Sequence, residues 1–173
     1  MVRERYHPLS VVLHWLVALL VVCTGSLGFL GARIVAQGSS WIGNIFLVHK
    51  TMGVSIFVLA TIRLLVRISY EIAPAKITKL ELRLSRAGYA LMYFCLFAIP
   101  LSGYTVSNAN GHSVLFFGTA LPRIVSANRD IATVAQNFHM IAAYSFFVVF
   151  SLHALMAFKH LFIDRVNLFV RMR

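Results

Sequence analysis

Acidic side chains are scarce in this sequence: 5 Asp and Glu stand against 16 Lys and Arg in 173 residues, for a net charge of +11. All charged residues together make up 12% of the chain, against roughly 25% in an ordinary soluble domain. Cysteine is scarce too. The 2 cysteines, Cys23 and Cys95, both lie deep in apolar stretches, which excludes a disulfide framework. No C-x-x-C-H sequence occurs, so covalent haem attachment is excluded. There is no internal repeat, no low-complexity tract and no stretch polar enough to form a soluble domain.

What fills the chain instead is hydrocarbon. Hydrophobic residues account for 60% and the mean hydropathy is +0.81. A globule of this size cannot shelter that much apolar surface from water, so a soluble fold and disorder are both excluded, and membrane lipid becomes the expected surrounding. So basic a chain would suggest nucleic acid as a partner. Here, however, the cations sit at the ends of apolar runs, where they act as topology signals, and no nucleic-acid partner is expected.

Crossing a bilayer as a helix takes about 20 mostly apolar residues. Four stretches qualify, Val11–Ala32, Asn44–Ile68, Gly88–Ser107 and Ala135–Ile163, and predict an all-α membrane protein, a single four-helix transmembrane bundle over residues 1–173. Between them fall a short loop at Ala36–Trp41, a basic loop at Tyr70–Arg86 and a long loop at Asn108–Val134. Arg3 and Arg5 precede the first run in the manner of a signal peptide. That run exceeds an h-region of about 7–15 residues and carries His14, so it is expected to remain as a span. Four cations, Arg33, Lys50, Arg123 and Arg129, fall on one side of the spans, and the remaining 12 of the 16, among them Arg3, Lys76 and Arg173, fall on the side of the termini. The imbalance predicts cytoplasmic termini.

Ionisable side chains at membrane depth are costly and mark function. Four histidines lie there: His14, His49, His139 and His153. His139 and His153 are 14 residues apart, about 21 Å along a helix and within about 40° of the same face. Counting along antiparallel spans places His14 at the depth of His153 and His49 at the depth of His139. Two imidazoles meeting at one depth from different helices suit the two axial positions of a haem iron, and two such levels accommodate two stacked haems. A tetrahedral metal site fits less well, because the pairs are too far apart to share one ion and no carboxylate lies near them. A proton or metal transporter built on the same histidines is the competing class.

Several neighbours carry two readings each. Gly28 and Gly53 either leave room for the outer ring or are small residues of helix packing. Arg63 and Arg67, 14 and 18 residues after His49, share its face at the inner level; they either pair with haem carboxylates or anchor the helix at the interface. Lys50, Arg123 and Arg129 either steer an anion to the outer level or are solvated cations. His160, seven residues after His153, and His7 are candidates to hydrogen-bond a quinone or relay a proton, with Ser10 and Lys159 as neighbours. His112 is expected in solvent, and Trp15 and Trp41 at the interfaces. Pro100 and Gly103 mark a bend in the third span, which has no histidine and is expected to support the bundle without ligating iron.

The segments Leu9–Trp15 (LSVVLHW), Val48–Gly53 (VHKTMG) and Phe117–Pro122 (FGTALP), the NFH at Asn137–His139 and the LHA at Leu152–Ala154 occur in this order across the whole chain. In these the sequence resembles the bacterial cytochrome b561 family. The resemblance implies two non-covalent b-type haems, with ligands at His14, His49, His139 and His153, and electron exchange with ubiquinone in the bacterial inner membrane. One member type oxidises periplasmic superoxide and reduces ubiquinone; others serve as cytochrome b subunits that pass electrons for a separate dehydrogenase or soluble cytochrome. The first activity, a superoxide:ubiquinone oxidoreductase, is the favoured expectation.

Overall fold

Inside a bilayer, backbone N–H and C=O groups have only one another as partners, so long uncharged runs close into helices. The computed structural model describes residues 5–35, 40–70, 73 and 77–172. Among them are four long helices, α1 (Pro8–Val35), α2 (Ile42–Ser69), α3 (Lys79–Ala109) and α4 (Arg129–Phe162), each long and apolar enough to cross a membrane. Arg3, Lys76 and Arg173 of the basic count, and Ala36 in the first loop, lie outside the described residues.

Each helix runs past its apolar stretch except at the C-terminus of α4. The largest difference is at α3, where Lys79–Arg86, expected as loop, forms the first two turns. The local cause is a capping box: the Thr78 hydroxyl accepts from the Glu81 N–H at 3.2 Å, and the Thr78 N–H donates to Glu81 Oε2 at 3.1 Å. Asn128 caps α4 in a similar way, accepting from the N–H groups of Asp130 and Ile131. At 34 residues and about 1.5 Å per residue, α4 is longer than the roughly 30 Å hydrocarbon layer and projects beyond it.

Helices α1 and α2 form one antiparallel hairpin and α3 and α4 another, joined by packing of α2 on α3. Helix α4 has little direct packing against α1 or α2. A buried apolar cluster contains Val17, Ile56, Ala60, Cys95, Leu96 and Phe146, drawn from all four helices. Phe146 lies seven residues from both His139 and His153, so this cluster separates two histidine levels. Large apolar side chains such as Val12, Leu19, Phe147 and Leu155 point outward, as a lipid-facing surface requires.

The α3–α4 connection carries a hairpin, β1 (Leu115–Phe116) paired with β2 (Thr119–Ala120). Its two turn residues, Phe117 and Gly118, have φ of 48° and 85°, the backbone that a two-residue primed turn requires. Beyond α4 the chain turns back through a 3-10 turn, Leu168–Met172, whose Arg171 carbonyl accepts from the Tyr6 N–H at 3.1 Å.

Candidate functional site

The structure brings the four membrane histidines together as two facing pairs. At the end away from the termini, the rings of His49 and His139 lie 6.3 Å apart, centre to centre, at 73°. At the end that carries the termini, His14 and His153 are also 6.3 Å apart, at 78°. Two metal–nitrogen bonds of about 2 Å, with about 1.1 Å from each nitrogen to its ring centre, would set the ring centres about 6 Å apart. The spacing therefore fits an iron ion held between each pair.

The outer pair is oriented by the backbone. His49 Nδ1 donates to the Thr24 carbonyl and His139 Nδ1 to the Ile99 carbonyl, both at 3.0 Å. A carbonyl only accepts, so Nδ1 carries the proton and the Nε2 lone pair is left free to ligate. Ser102 lies on the same spot, its hydroxyl 3.1 Å from His139 Nδ1 and 2.8 Å from the Ile99 carbonyl. Two glycines let the rings lie flat against backbone. A Cβ on Gly28 would stand 3.0 Å from His49 Cε1, and one on Gly103 would stand 3.0 Å from His139 Cε1.

Gly28 thus accommodates the imidazole of His49 itself. Gly53, by contrast, has open space where a Cβ would be.

The inner pair sits in a different electrostatic setting. Arg63 Nη2 lies 3.3 Å from His14 Nδ1, and Nη1 bonds the Tyr93 hydroxyl. Arg63 Nε is buried without a hydrogen-bond partner among the described residues. The Arg67 guanidinium stacks over Tyr89 at 4.6 Å, and the Tyr89 ring is 5.9 Å from that of His153. Among the described residues neither arginine has an ion pair with a carboxylate. Both line a cavity of about 980 Å³ that also contains the rings of His14 and His153 and extends to His160. That volume is near the top of the roughly 300–1,000 Å³ range of cofactor pockets. Two guanidiniums facing such a cavity with no carboxylate partner among the described residues suit the carboxylates of a haem.

His160 is buried, with Nδ1 2.7 Å from Asp164 Oδ2. Lys159 bridges Asp164 and Glu81, at 2.8 Å from each. Ser10 is buried in the first turn of α1. His7 is used otherwise: its Nδ1 accepts from the Leu9 N–H at 3.3 Å and its ring stacks on Tyr70. At the opposite end Lys50 donates to Ser107 at 2.9 Å, Arg123 donates to the Gly111 carbonyl, and Arg129 is exposed on the first turn of α4. His112 is exposed, as are Trp15 and Trp41.

Sequence reasoning missed the contribution of α3. A helix without histidine still supplies the Ile99 carbonyl, Ser102 and Gly103 to the ring of His139. Pro100 and Gly103, read as marks of a bend, flank that contact. Asp164, beyond the last span, was also passed over; only its i+4 spacing from His160 could have signalled it.

Four membrane helices enclosing paired histidines at two depths define a membrane protein built for a redox cofactor. The family model described as prokaryotic cytochrome b561 matches residues 5–173, and the chain belongs to that family. It is 34% identical over 172 residues to "Cytochrome b561 homolog 2" of Escherichia coli (strain K12), covering 98% of this chain and 91% of that one. It is 28% identical over 172 residues to "Probable superoxide oxidase CybB" of Yersinia pestis, covering 98% and 96% of the two chains. The protein is thus a multi-pass membrane electron-transfer protein of a family that binds b-type haem.

Proposed function

We propose that this protein is a dihaem cytochrome of the bacterial inner membrane, with its termini in the cytoplasm, that oxidises superoxide in the periplasm and reduces ubiquinone. The observation that carries this reading is the pair of 6.3 Å imidazole spacings at two depths. His49 and His139 would hold the outer haem, and His14 and His153 the inner one. A haem held there would supply one-electron chemistry.

The protein's own residues do the rest. Thr24 and Ile99 fix the outer rings through their carbonyls, and the space beside Gly53 leaves room for the outer macrocycle. Arg63 and Arg67 pair with carboxylates of the inner one. Lys50, Arg123 and Arg129 make the outer end attractive to a small anion. His160, at the edge of the inner cavity, hydrogen-bonds a carbonyl oxygen of ubiquinone. Two superoxide anions each lose one electron to become O₂, and one ubiquinone gains two electrons and two protons to become ubiquinol.

The full-length similarity to a probable superoxide oxidase supports this donor. The test is a visible spectrum of the purified protein with haem counted per chain, followed by rapid mixing with superoxide in the presence of ubiquinone. Two low-spin b haems per chain and superoxide-driven quinol formation are expected. One haem would break one histidine pair, and two haems that superoxide does not reduce would exclude superoxide as donor.

A further inference from the structure

Although only 5% exposed, His160 borders two spaces. One is the cavity of about 980 Å³ with the inner histidines; the other is a more open recess of about 620 Å³, walled by Thr78, Glu81, Lys159 and Asp164. In the recess, Asp164 Oδ2 lies 2.7 Å from His160 Nδ1. Lys159 Nζ, 2.8 Å from both Asp164 Oδ2 and Glu81 Oε1, holds that carboxylate in place. The hydrogen bond from Lys159, and then that from His160, keeps the Asp164 carboxyl below its usual range, so it is an anion at neutral pH.

Charge counting shows what the cluster accommodates. Glu81 and Asp164 carry two negative charges and Lys159 one positive, which leaves the cluster able to accommodate one further positive charge. A metal ion is the alternative occupant, since one ligand atom each from Glu81, His160 and Asp164 lie within 4.8 Å of one another. The Lys159 ammonium already takes the cation's place between both carboxylates, so we set the metal aside. On the cavity side the charged or titratable groups are Tyr6 before α1, His14 of α1, Arg63 and Arg67 of α2, Tyr70 after it, Arg86 and Tyr89 of α3, His153 of α4 and Arg171 of the 3-10 turn; Glu81 is the carboxylate among the lining residues.

Building on ubiquinone reduction at His160, we propose that the recess is the proton entry of the protein and that Asp164 is the positioning residue of its donor. Asp164 accepts the Nδ1 hydrogen bond of protonated His160 and so leaves Nε2–H for the quinone. The Nε2–H bond breaks as an O–H bond forms on a quinone carbonyl oxygen, leaving a neutral imidazole. A hydronium ion arriving from the cytoplasm through the recess forms a new N–H bond at Nε2 and leaves as water, while Nδ1–H stays hydrogen-bonded to Asp164. Each ubiquinone takes two such protons, with two electrons from the one-electron outer donor.

The test uses the haem-loaded protein in nanodiscs with ubiquinone-1. Equilibrium binding of ubiquinone-1 to the oxidised protein, haem reduction by the outer donor and quinol formation are each measured from pH 6 to 8.5 in wild type, Asp164→Asn and Asp164→Glu. In Asp164→Asn, binding and haem reduction stay within about twofold, while quinol formation falls about tenfold at pH 8 and much less at pH 6, where bulk protons substitute. Asp164→Glu restores most of the rate. An Asp164→Asn loss that is equal at every pH, accompanies lost quinone binding, or is not rescued by glutamate makes Asp164 merely structural and overturns the relay. Absence of ubiquinone-1 binding in the wild type overturns the quinone reading itself, and the relay with it.

Discussion

Replacing Gly28 by alanine puts a methyl carbon 3.0 Å from Cε1 and 3.3 Å from Nδ1 of His49. Ordinary contact needs 3.4–4 Å, so the imidazole must retreat by about 0.5 Å or the helices must part. The ring is tied to the Thr24 carbonyl by a 3.0 Å hydrogen bond, and the retreat stretches it towards the length at which such bonds fail. Overpacking costs about 1–3 kcal/mol and the weakened bond about 1 kcal/mol. Alanine returns about 1 kcal/mol through helix propensity. The net loss is about 1–3 kcal/mol, concentrated on one axial position. The inner pair, about 21 Å away along the helices, is too distant to couple. Reduced-minus-oxidised spectra, redox titration and a thermal melt are the assays. The outer haem is expected to be lost or shifted in potential, the inner one to be unchanged. Gly25→Ala in the same helix meets no atom within 4 Å and serves as the control, at least as stable as the parent. A Gly28→Ala protein with two haems, unaltered potentials and the melting point of the control would refute this reasoning.

The remaining expectations follow the two levels. His14→Ala is expected to retain only the outer haem and His49→Ala only the inner one, read from haem per chain; loss of both from either variant would contradict independent levels. Exchanging Lys50, Arg123 and Arg129 together for glutamine should slow superoxide-driven haem reduction several-fold at low ionic strength and flatten its salt dependence, since steering of an anion is screened by salt. Thr78→Ala removes the capping box of α3 and should cost about 1 kcal/mol of stability in a thermal melt without altering the spectrum.

The sequence by itself determined the architecture and the depth of the chemistry. With so few charges and such long apolar runs, helices were the only way to satisfy the backbone in lipid, and fixed rise per residue turned histidine spacing into depth. Antiparallel spans then paired His14 with His153 and His49 with His139 on paper. Helix ends were less legible, because the start of α3 depends on a polar capping box outside the apolar stretch. Tertiary structure alone decided how the rings are held. That a backbone carbonyl of α1 orients His49, while one of α3 orients His139, follows from helix rotation and packing, which periodicity does not encode. The same holds for Gly103, whose value lies in what passes across it, and for the ion pair of Lys159 with Glu81, which joins residues 78 apart in sequence. Depth is a one-dimensional property that a sequence carries in full; contact across helices depends on rotation and packing in three dimensions.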